Sequence, residues 1–217
     1  MSTAQRLNAV SPTVSRADES LVSVIMPVYN GEEFIEDAIQ SVFDQSYRNI
    51  ELIVVDDGST DGTLGILKSH GDRLKLMCQK HRGNAAARNR GAAEALGEWI
   101  AVLDAADLWE SEKLVQQMKI SHRGDVVYTN ALNFGDCESV GLLSLNAGHI
   151  PEGNVFEELV RINFITHSSV LIRRDLFNQV GGYDENLKTT CDWDLYLRIA
   201  IAGGEFCGTA EPLTRYR

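Results

Sequence analysis

The amino-acid sequence predicts an α/β fold in which a mostly parallel β-sheet is flanked by helices. The first observation is that short apolar segments alternate with amphipathic segments over residues 21–110. The second is that the apolar segments are rich in β-branched residues, which is typical of strands buried on both faces. The third is that polar clusters follow these segments directly. In a sheet built from strand–helix–strand units, such clusters meet at one edge, where ligands bind.

Four strands and three helices are predicted in this first part. The strands span residues 23–26, 50–55, 74–78 and 98–103, and the helices run from residues 30–33 to 43, from 63 to 69, and from 81–84 to 95. In the first helix, apolar side chains recur at helical spacing and carboxylates occupy the first turn, where they suit the helix dipole. The third helix is rich in alanine, which lets it approach another backbone closely. Right-handed crossovers would place the four strands in one parallel sheet.

The second part of the chain is less regular. Strands are predicted at residues 126–130 and 168–172, helices at residues 175–180 and 193–202, and a loop-rich stretch at residues 135–152. Glycine pairs follow both helices, as is common at helix ends. Residues 1–20 are polar and lack an apolar run, so they are predicted to form a flexible tail. Residues 21–217 are predicted to form a single domain.

Composition and charge restrict the function. Lys and Arg total 20 and Asp and Glu total 31, which gives a net charge of −11. This balance argues against nucleic acid as a partner, because binding to phosphate backbones needs a basic surface. The cysteines form no Cys-x-x-Cys pair, and no apolar stretch reaches the roughly 20 residues of a membrane span. We therefore expect no transmembrane segment in this chain and a cytoplasmic protein, either free or peripheral to the inner face of the membrane.

Acidic side chains at the predicted strand ends are the first candidate site residues. Asp57 lies in the turn DDGSTDG at residues 56–62. Its carboxylate could accept a hydrogen bond from the imide N–H of a pyrimidine base. The alternative is a solvent-exposed turn in which the Asp and Ser side chains form hydrogen bonds only with the backbone of the turn. Asp104 and Asp107 follow the fourth strand. Carboxylates here need a partner, and a Mg²⁺ or Mn²⁺ ion that bridges a diphosphate is one. The alternative for Asp107 is an N-cap of the helix that starts near Glu110.

Two further candidates lie at predicted helices. Arg88 and Arg90 are two positions apart and point to different faces, so one of them can reach a diphosphate with its fork of donors. Asp192 comes just before the helix predicted at residues 193–202. A carboxylate at this place could be the general base that takes the proton of an attacking hydroxyl group. The alternative is that Asp192 only caps the helix.

Five segments, in order and at similar spacing, resemble family 2 of the inverting glycosyltransferases. They are VIMPVYN at residues 24–30, ELIVVDDGSTD at 51–61, GNAAARNRG at 83–91, the strand and loop that end in LDAADLW at 103–109, and GGYDE at 181–185 followed by CDWDLYLR at 191–198. The resemblance covers residues 23–217. It implies a GT-A fold, which is a Rossmann-like sheet flanked by helices. It also implies a nucleotide-sugar-binding half at residues 21–110 and a smaller acceptor-side half at residues 111–217.

The resemblance further implies roles for the candidate residues. Tyr29 and Asp57 would border the nucleobase, and Arg88 would hold the base or the phosphate. Asp104 would contact the ribose or the metal-bound diphosphate. Asp192 would be the catalytic base of an in-line displacement that inverts the anomeric carbon. The implied donor is a nucleotide-diphosphate sugar such as a UDP-sugar, the implied acceptor is a hydroxyl group of a glycan, a lipid-linked sugar or a protein, and the implied cofactor is Mg²⁺ or Mn²⁺.

One departure from the family pattern concerns this metal. The family reads Asp-x-Asp-Asp where this chain has LDAADLW, with Ala106 in place of the carboxylate that is expected to bind the ion. The metal site is therefore predicted to be impaired, with Asp107 as the remaining candidate ligand. Three interpretations stay open: an active enzyme that uses Asp107, an enzyme with a disabled metal site, and a sugar-nucleotide-binding protein without catalysis. A nucleotidyltransferase is disfavoured, because residues 28–33 contain no basic side chain.

Overall fold

The computed structural model describes residues 20–136, 139–145 and 149–217. It confirms the predicted alternation of strands and helices in the first part of the chain. The strands are β1 (Val22–Val28), β2 (Ile50–Asp56), β3 (Lys75–Cys78) and β4 (Trp99–Val102), and the helices are α1 (Ile35–Phe43), α2 (Thr63–Ser69) and α3 (Asn84–Ala93). The periodicity of the apolar residues therefore locates these elements correctly.

The second part contains more regular structure than the sequence predicts. Its elements are β5 (Leu108–Trp109), α4 (Lys113–Ile120), β6 (Val126–Asn133), α5 (Phe156–Arg161), β7 (Leu171–Arg173), α6 (Arg174–Gln179), α7 (Cys191–Ile201) and β8 (Phe206–Tyr216). Among these, β5, α5 and β8 have no predicted counterpart. The strand predicted at residues 168–172 begins only at Leu171, because residues 167–169 form a 3₁₀ turn.

The described strands form one sheet in the order β3-β2-β1-β4-β7-β6-β8-β5. The first four strands are parallel, as the predicted crossovers require. Beyond β4 the sheet is mixed, because β7 runs antiparallel to both β4 and β6. The strand β8 is parallel to β6 and antiparallel to β5. The architecture is mixed α/β.

Alternate side chains of the strands pack against helices on the two faces of the sheet. Ile25 belongs to the core on the side of α3 and α7, whereas Val24 and Met26 belong to the core on the side of α1 and α4. Gly91 explains how closely α3 approaches the sheet. A Cβ atom at this position would lie 2.6 Å from Cγ2 of Ile25, so a larger residue would force Ile25 or α3 to shift. The small residues of α3 thus bring its polar side chains to the carboxyl edge of the sheet.

Two predictions concern parts of the chain that the structure covers only in part. The predicted tail lies outside the described residues except for Ser20, whose hydroxyl donates to Glu98 at 2.6 Å. The helices of the described residues include none with the length and apolarity that crossing a membrane requires. The division into two halves at residues 110 and 111 stays a prediction.

Candidate active site

Two neighbouring cavities lie at the carboxyl ends of β1, β3 and β4. The first cavity has a volume of about 840 Å³, and its lining includes Tyr29, Phe34, Arg82, Asp104, Ala106 and Lys188. The second cavity has a volume of about 510 Å³, and its lining includes Arg88, Asp104, Asn163, His167, Lys188 and Asp192. Asp104 and Lys188 line both cavities and therefore mark the boundary between them. The structure thus brings Tyr29, Arg88, Asp104 and Asp192 to one edge of the sheet.

A salt bridge between Arg88 and Asp104 lies at this boundary. Nη2 of Arg88 donates to Oδ1 of Asp104 at 2.6 Å. Burial favours the neutral carboxyl group, but the adjacent guanidinium of Arg88 outweighs it and holds the pKa of Asp104 below its usual value. The same pairing outweighs the burial of Arg88 and raises the pKa of its guanidinium. Asp104 is therefore an anion at neutral pH, with one oxygen held by the protein and the other available to a ligand.

Asp57 is buried beneath the loop that follows β3, outside the lining of the first cavity. Its Oδ1 accepts from Gln79 Nε2 at 2.7 Å and from the Arg82 amide at 2.9 Å. Its Oδ2 accepts from the Gly83 amide at 2.8 Å and lies 2.9 Å from Nδ1 of His81. Four partners fill the acceptor sites of one carboxylate. Asp57 thus holds the loop in shape, and an imide N–H could bind to it only by displacing one of these partners.

Tyr29 forms an aromatic wall of the first cavity. Its side chain follows β1 directly and is 42% exposed. The ring stacks on His81 with 4.1 Å between centroids and 33° between planes. His81 is in turn fixed by its contact with Asp57. The contact with His81 therefore holds the half-exposed ring of Tyr29 in place, and a planar base can stack on an exposed aromatic ring.

Asp107 points away from the first cavity into the protein. It is 2% exposed, accepts from Ser168 Oγ at 2.6 Å through Oδ2, and accepts from the Arg217 amide at 2.9 Å through Oδ1. Burial and the nearby charge of Asp104 raise the pKa of Asp107 to about 7. The interpretation of Asp107 as an N-cap is wrong, because α4 begins six residues later and Glu112 occupies the cap position.

The residues at this edge do not fit the Mg²⁺ or Mn²⁺ ion that the family pattern implies. Ala106 offers only a methyl group, and both oxygens of Asp107 are already hydrogen-bonded. Among the described carboxylates of residues 104–107, Asp104 is the one with an oxygen that accepts no hydrogen bond. Within the described ranges, no group of three or more His, Cys, Asp and Glu side chains could hold a metal ion. The impairment at Ala106 and the assignment of Asp107 as a metal ligand both stay predictions, and the hydrogen bonds of Asp107 give the second one no geometric support.

Asp192 lies in the second cavity, in the first turn of α7. The helix begins at Cys191 and Thr190 occupies the cap position, so the alternative that Asp192 is the N-cap is wrong. Nδ2 of Asn163 donates to Oδ2 of Asp192 at 2.9 Å. One carboxylate oxygen is therefore held in place, and Oδ1 is available to a ligand in the cavity. Asn163 was not a candidate, because nothing in the local sequence indicates its contact with a residue 29 positions away.

A buried polar network beneath the second cavity is a second feature that the sequence did not indicate. Nδ1 of His167 lies 2.8 Å from the hydroxyl of Tyr196, and Nε2 lies 3.1 Å from that of Tyr183. Burial, aided by the charge of Arg88, lowers the pKa of His167 to about 4. Nη1 of Arg88 also lies 3.5 Å from Sγ of Cys191. Through His167 and Tyr196 the network joins the loop before β7 to α7. The one indication in the sequence was that Tyr183 and Tyr196 both lie in segments that resemble the glycosyltransferase family.

Comparisons with known proteins identify related chains. Residues 23–181 match the profile of glycosyl transferase family 2. The chain is 34% identical to an uncharacterized glycosyltransferase of Rickettsia typhi over 82% of its own length and 58% of that protein. It is 31% identical to the putative teichuronic acid biosynthesis glycosyltransferase TuaG of Bacillus subtilis, over 91% of this chain and 79% of that one. It is 34% identical to the UDP-Glc:alpha-D-GlcNAc-diphosphoundecaprenol beta-1,3-glucosyltransferase WfgD of Escherichia coli. This match covers 74% of this chain and 63% of that protein.

Solved structures share the fold at low sequence identity. TarS of S. aureus, in complex with UDP, has a TM-score of 0.69 and 21% identity over 87% of this chain and 60% of that chain. A mannosyltransferase from Pyrobaculum calidifontis, in complex with GDP-Man and Mn²⁺, has a TM-score of 0.68 and 21% identity. The match covers 96% of this chain and 59% of that chain. The chain thus spans little more than half the length of several proteins that it matches. These likenesses confirm the expected GT-A type of α/β fold.

Proposed function

Because the chain belongs to glycosyltransferase family 2, we propose that it is an inverting glycosyltransferase that moves a sugar from a nucleotide-diphosphate donor to a hydroxyl group. The observation that carries this proposal is the pair of adjoining cavities, which share Asp104 and contain Asp192 only in the second. A two-substrate transfer needs such a division, with a place for the donor, a place for the acceptor and a base beside the point where they meet.

The donor is assigned to the first cavity. A nucleobase stacks on the exposed ring of Tyr29, which His81 supports from the other side. Asp57 positions the loop that closes this end of the cavity. Asp104 accepts hydrogen bonds from the ribose hydroxyls through the oxygen that Arg88 leaves free. Arg88 acts on the nucleotide through Asp104, whose charge and orientation it maintains. A UDP-sugar is the preferred donor, since the TarS neighbour was solved with UDP.

The acceptor is assigned to the second cavity, where Asp192 is the general base. Asn163 holds Oδ2 of Asp192, so Oδ1 is the oxygen that takes the proton of the acceptor hydroxyl. The acceptor oxygen then bonds to the anomeric carbon as the bond from this carbon to the phosphate oxygen breaks. The nucleoside diphosphate leaves with the electron pair. A single displacement of this kind inverts the anomeric carbon.

The names of two relatives favour a polysaccharide or lipid-linked acceptor. One relative is named for teichuronic acid biosynthesis, and another for a diphosphoundecaprenol-linked substrate. We propose an acceptor of this class and a cytoplasmic location at the inner face of the membrane, where a lipid-linked sugar would be reached.

A donor screen tests the proposal. The chain is incubated with UDP-sugars and GDP-sugars, and thermal shift and nucleotide release are measured together. Binding to the native state raises the apparent melting temperature, so a UDP-sugar is expected to raise it and to release UDP in the presence of a glycan acceptor. The competing function is a sugar-nucleotide-binding protein without catalysis, which Ala106 favours. A thermal shift without any nucleotide release over the full acceptor series would support that alternative.

A further inference from the structure

The poor fit of the site to a metal ion raises the question of what neutralises the donor's diphosphate. In the proposed reaction this group is both bound and released as an anion. A family pattern with three carboxylates would use a divalent cation for this purpose. Here the carboxylates are largely engaged, since Asp107 is bonded to Ser168 and to the Arg217 amide, and Asp104 is paired with Arg88. The negative charge of the diphosphate must therefore be neutralised by cationic side chains of the protein.

Arg217 lies beside the position where the metal-binding carboxylate is absent. Its Nε donates to the carbonyl oxygen of Ala106 at 3.1 Å. Its guanidinium lies 4.2 Å from the ring centroid of Phe34 and 4.4 Å from that of Phe134. Phe34 and Ala106 both line the first cavity. Two aromatic rings and one carbonyl thus hold a permanent cation beside Ala106, the position at which the family pattern has a metal-binding carboxylate.

Lys188 supplies a second cation, in the lining of the first cavity. It lies in the loop before α7 and lines both cavities, so it stands where the diphosphate would join the nucleoside to the transferred sugar. Neither Lys188 nor Arg217 takes part in the salt bridges found among the described residues. By contrast, Arg82 in the same cavity is paired with Glu185. The two unpaired cations are therefore available to an anionic ligand.

We propose that Lys188 and Arg217 bind the diphosphate of the donor in place of a divalent cation, so that nucleotide binding by this chain is independent of metal. Arg217 offers a planar fork that suits phosphate oxygens, and Lys188 offers a mobile point charge that can follow the leaving group. The inference rests on the proposed function, because it assigns the ligand of the same cavity.

Titration calorimetry with UDP tests the inference. The full chain is titrated in EDTA and again in excess Mn²⁺, and the affinity is expected to differ by less than about twofold. Lys188→Ala is expected to weaken UDP binding by about tenfold, the equivalent of 1.4 kcal/mol. The matched control is Lys68→Ala, which removes an exposed lysine of α2 that lies outside both cavities and is expected to bind UDP as the parent does. Arg217→Lys, which keeps the charge but not the fork, is expected to weaken binding without unfolding the chain.

Two further outcomes separate the inference from the proposed function. A gain of about tenfold or more in UDP affinity on adding Mn²⁺ would overturn the inference and leave the donor cavity intact, and so would parental affinity in both Lys188→Ala and Arg217→Lys. Failure of UDP and of every UDP-sugar and GDP-sugar to bind in either buffer would overturn both. Ala106→Asp provides the reverse test. Restoring the carboxylate is expected to make UDP binding depend on Mn²⁺ in the variant alone, and the same metal response in the parent would contradict the inference.

Discussion

Replacing Asp107 by asparagine is expected to change how stability depends on pH. The carboxyl group is 2% exposed, and burial together with the charge of Asp104 raises its pKa from 3.8 to about 7. Between these two values the folded chain keeps a proton that the unfolded chain releases. The contribution of Asp107 to stability is therefore fully present below about pH 4 and is lost as the pH rises towards 7.

The magnitude follows from the size of this interval. Each pH unit corresponds to about 1.36 kcal/mol, so the folded parent loses up to about 4 kcal/mol of stability between pH 4 and pH 7. Asp107→Asn cannot ionise and should not show this loss. His167 acts in the opposite direction, because its folded pKa of about 4 lies below the ordinary 6.5, which makes stability rise with pH over that interval. Both proteins contain His167, so its effect cancels in the difference between them.

Urea unfolding followed by tryptophan fluorescence at several pH values measures this difference. The free energy of unfolding of Asp107→Asn, minus that of the parent, is expected to increase between about pH 4 and pH 7 and to stay constant above. Asp37→Asn, at an exposed position of α1, is the matched control for an Asp-to-Asn substitution outside the site. Parallel curves for Asp107→Asn and the parent would refute the reasoning, because they would mean that Asp107 is ionised in the folded chain.

Three further substitutions test the packing and the hydrogen bonds of the site. Asn163→Ala should lower kcat about tenfold with little change in donor affinity, because the hydrogen bond that holds Oδ2 of Asp192 is lost. An unchanged kcat would show that Asn163 does not position the base. His167→Phe should lower the free energy of unfolding by about 2–4 kcal/mol, since two buried tyrosine hydroxyls lose their partner, and parental stability in urea would contradict this. Gly91→Ala should lower it by about 1–3 kcal/mol through the clash with Ile25, and urea unfolding at the parental midpoint would show that α3 can shift.

The first part of the fold was predictable because its signals are local. The strands β1 to β4 are short apolar runs, and α1 shows its buried face in the spacing of Ile35, Ala38, Ile39 and Val42. The position of polar residues at the strand ends then followed from the parallel topology. By contrast, β8 was missed because Pro212 interrupts its pattern and because its pairing with β6 shifts register between Thr129 and Ala131. Its partner strand lies far away in the sequence.

The candidate site was predictable in position but only partly in its contacts. Arg88 and Asp104 were named separately, and only the structure shows that they form one ion pair. Asp57 was expected at the nucleobase, yet its four partners come from the loop at residues 79–83. The environment of Asp107 depends on Ser168, which is 61 positions away. Contacts of this kind depend on how distant strands pack, which local sequence patterns do not describe.

The central claim is that Asp192 is the base of a glycosyl transfer, and Asp192→Asn tests it most directly. UDP release from a UDP-sugar in the presence of a glycan acceptor is measured beside UDP affinity in the same preparations. Turnover is expected to fall by about 10²–10⁴-fold, the range for loss of a general base, while UDP affinity stays within about twofold of the parent and Asp37→Asn retains full turnover. Parental turnover in Asp192→Asn would contradict the account.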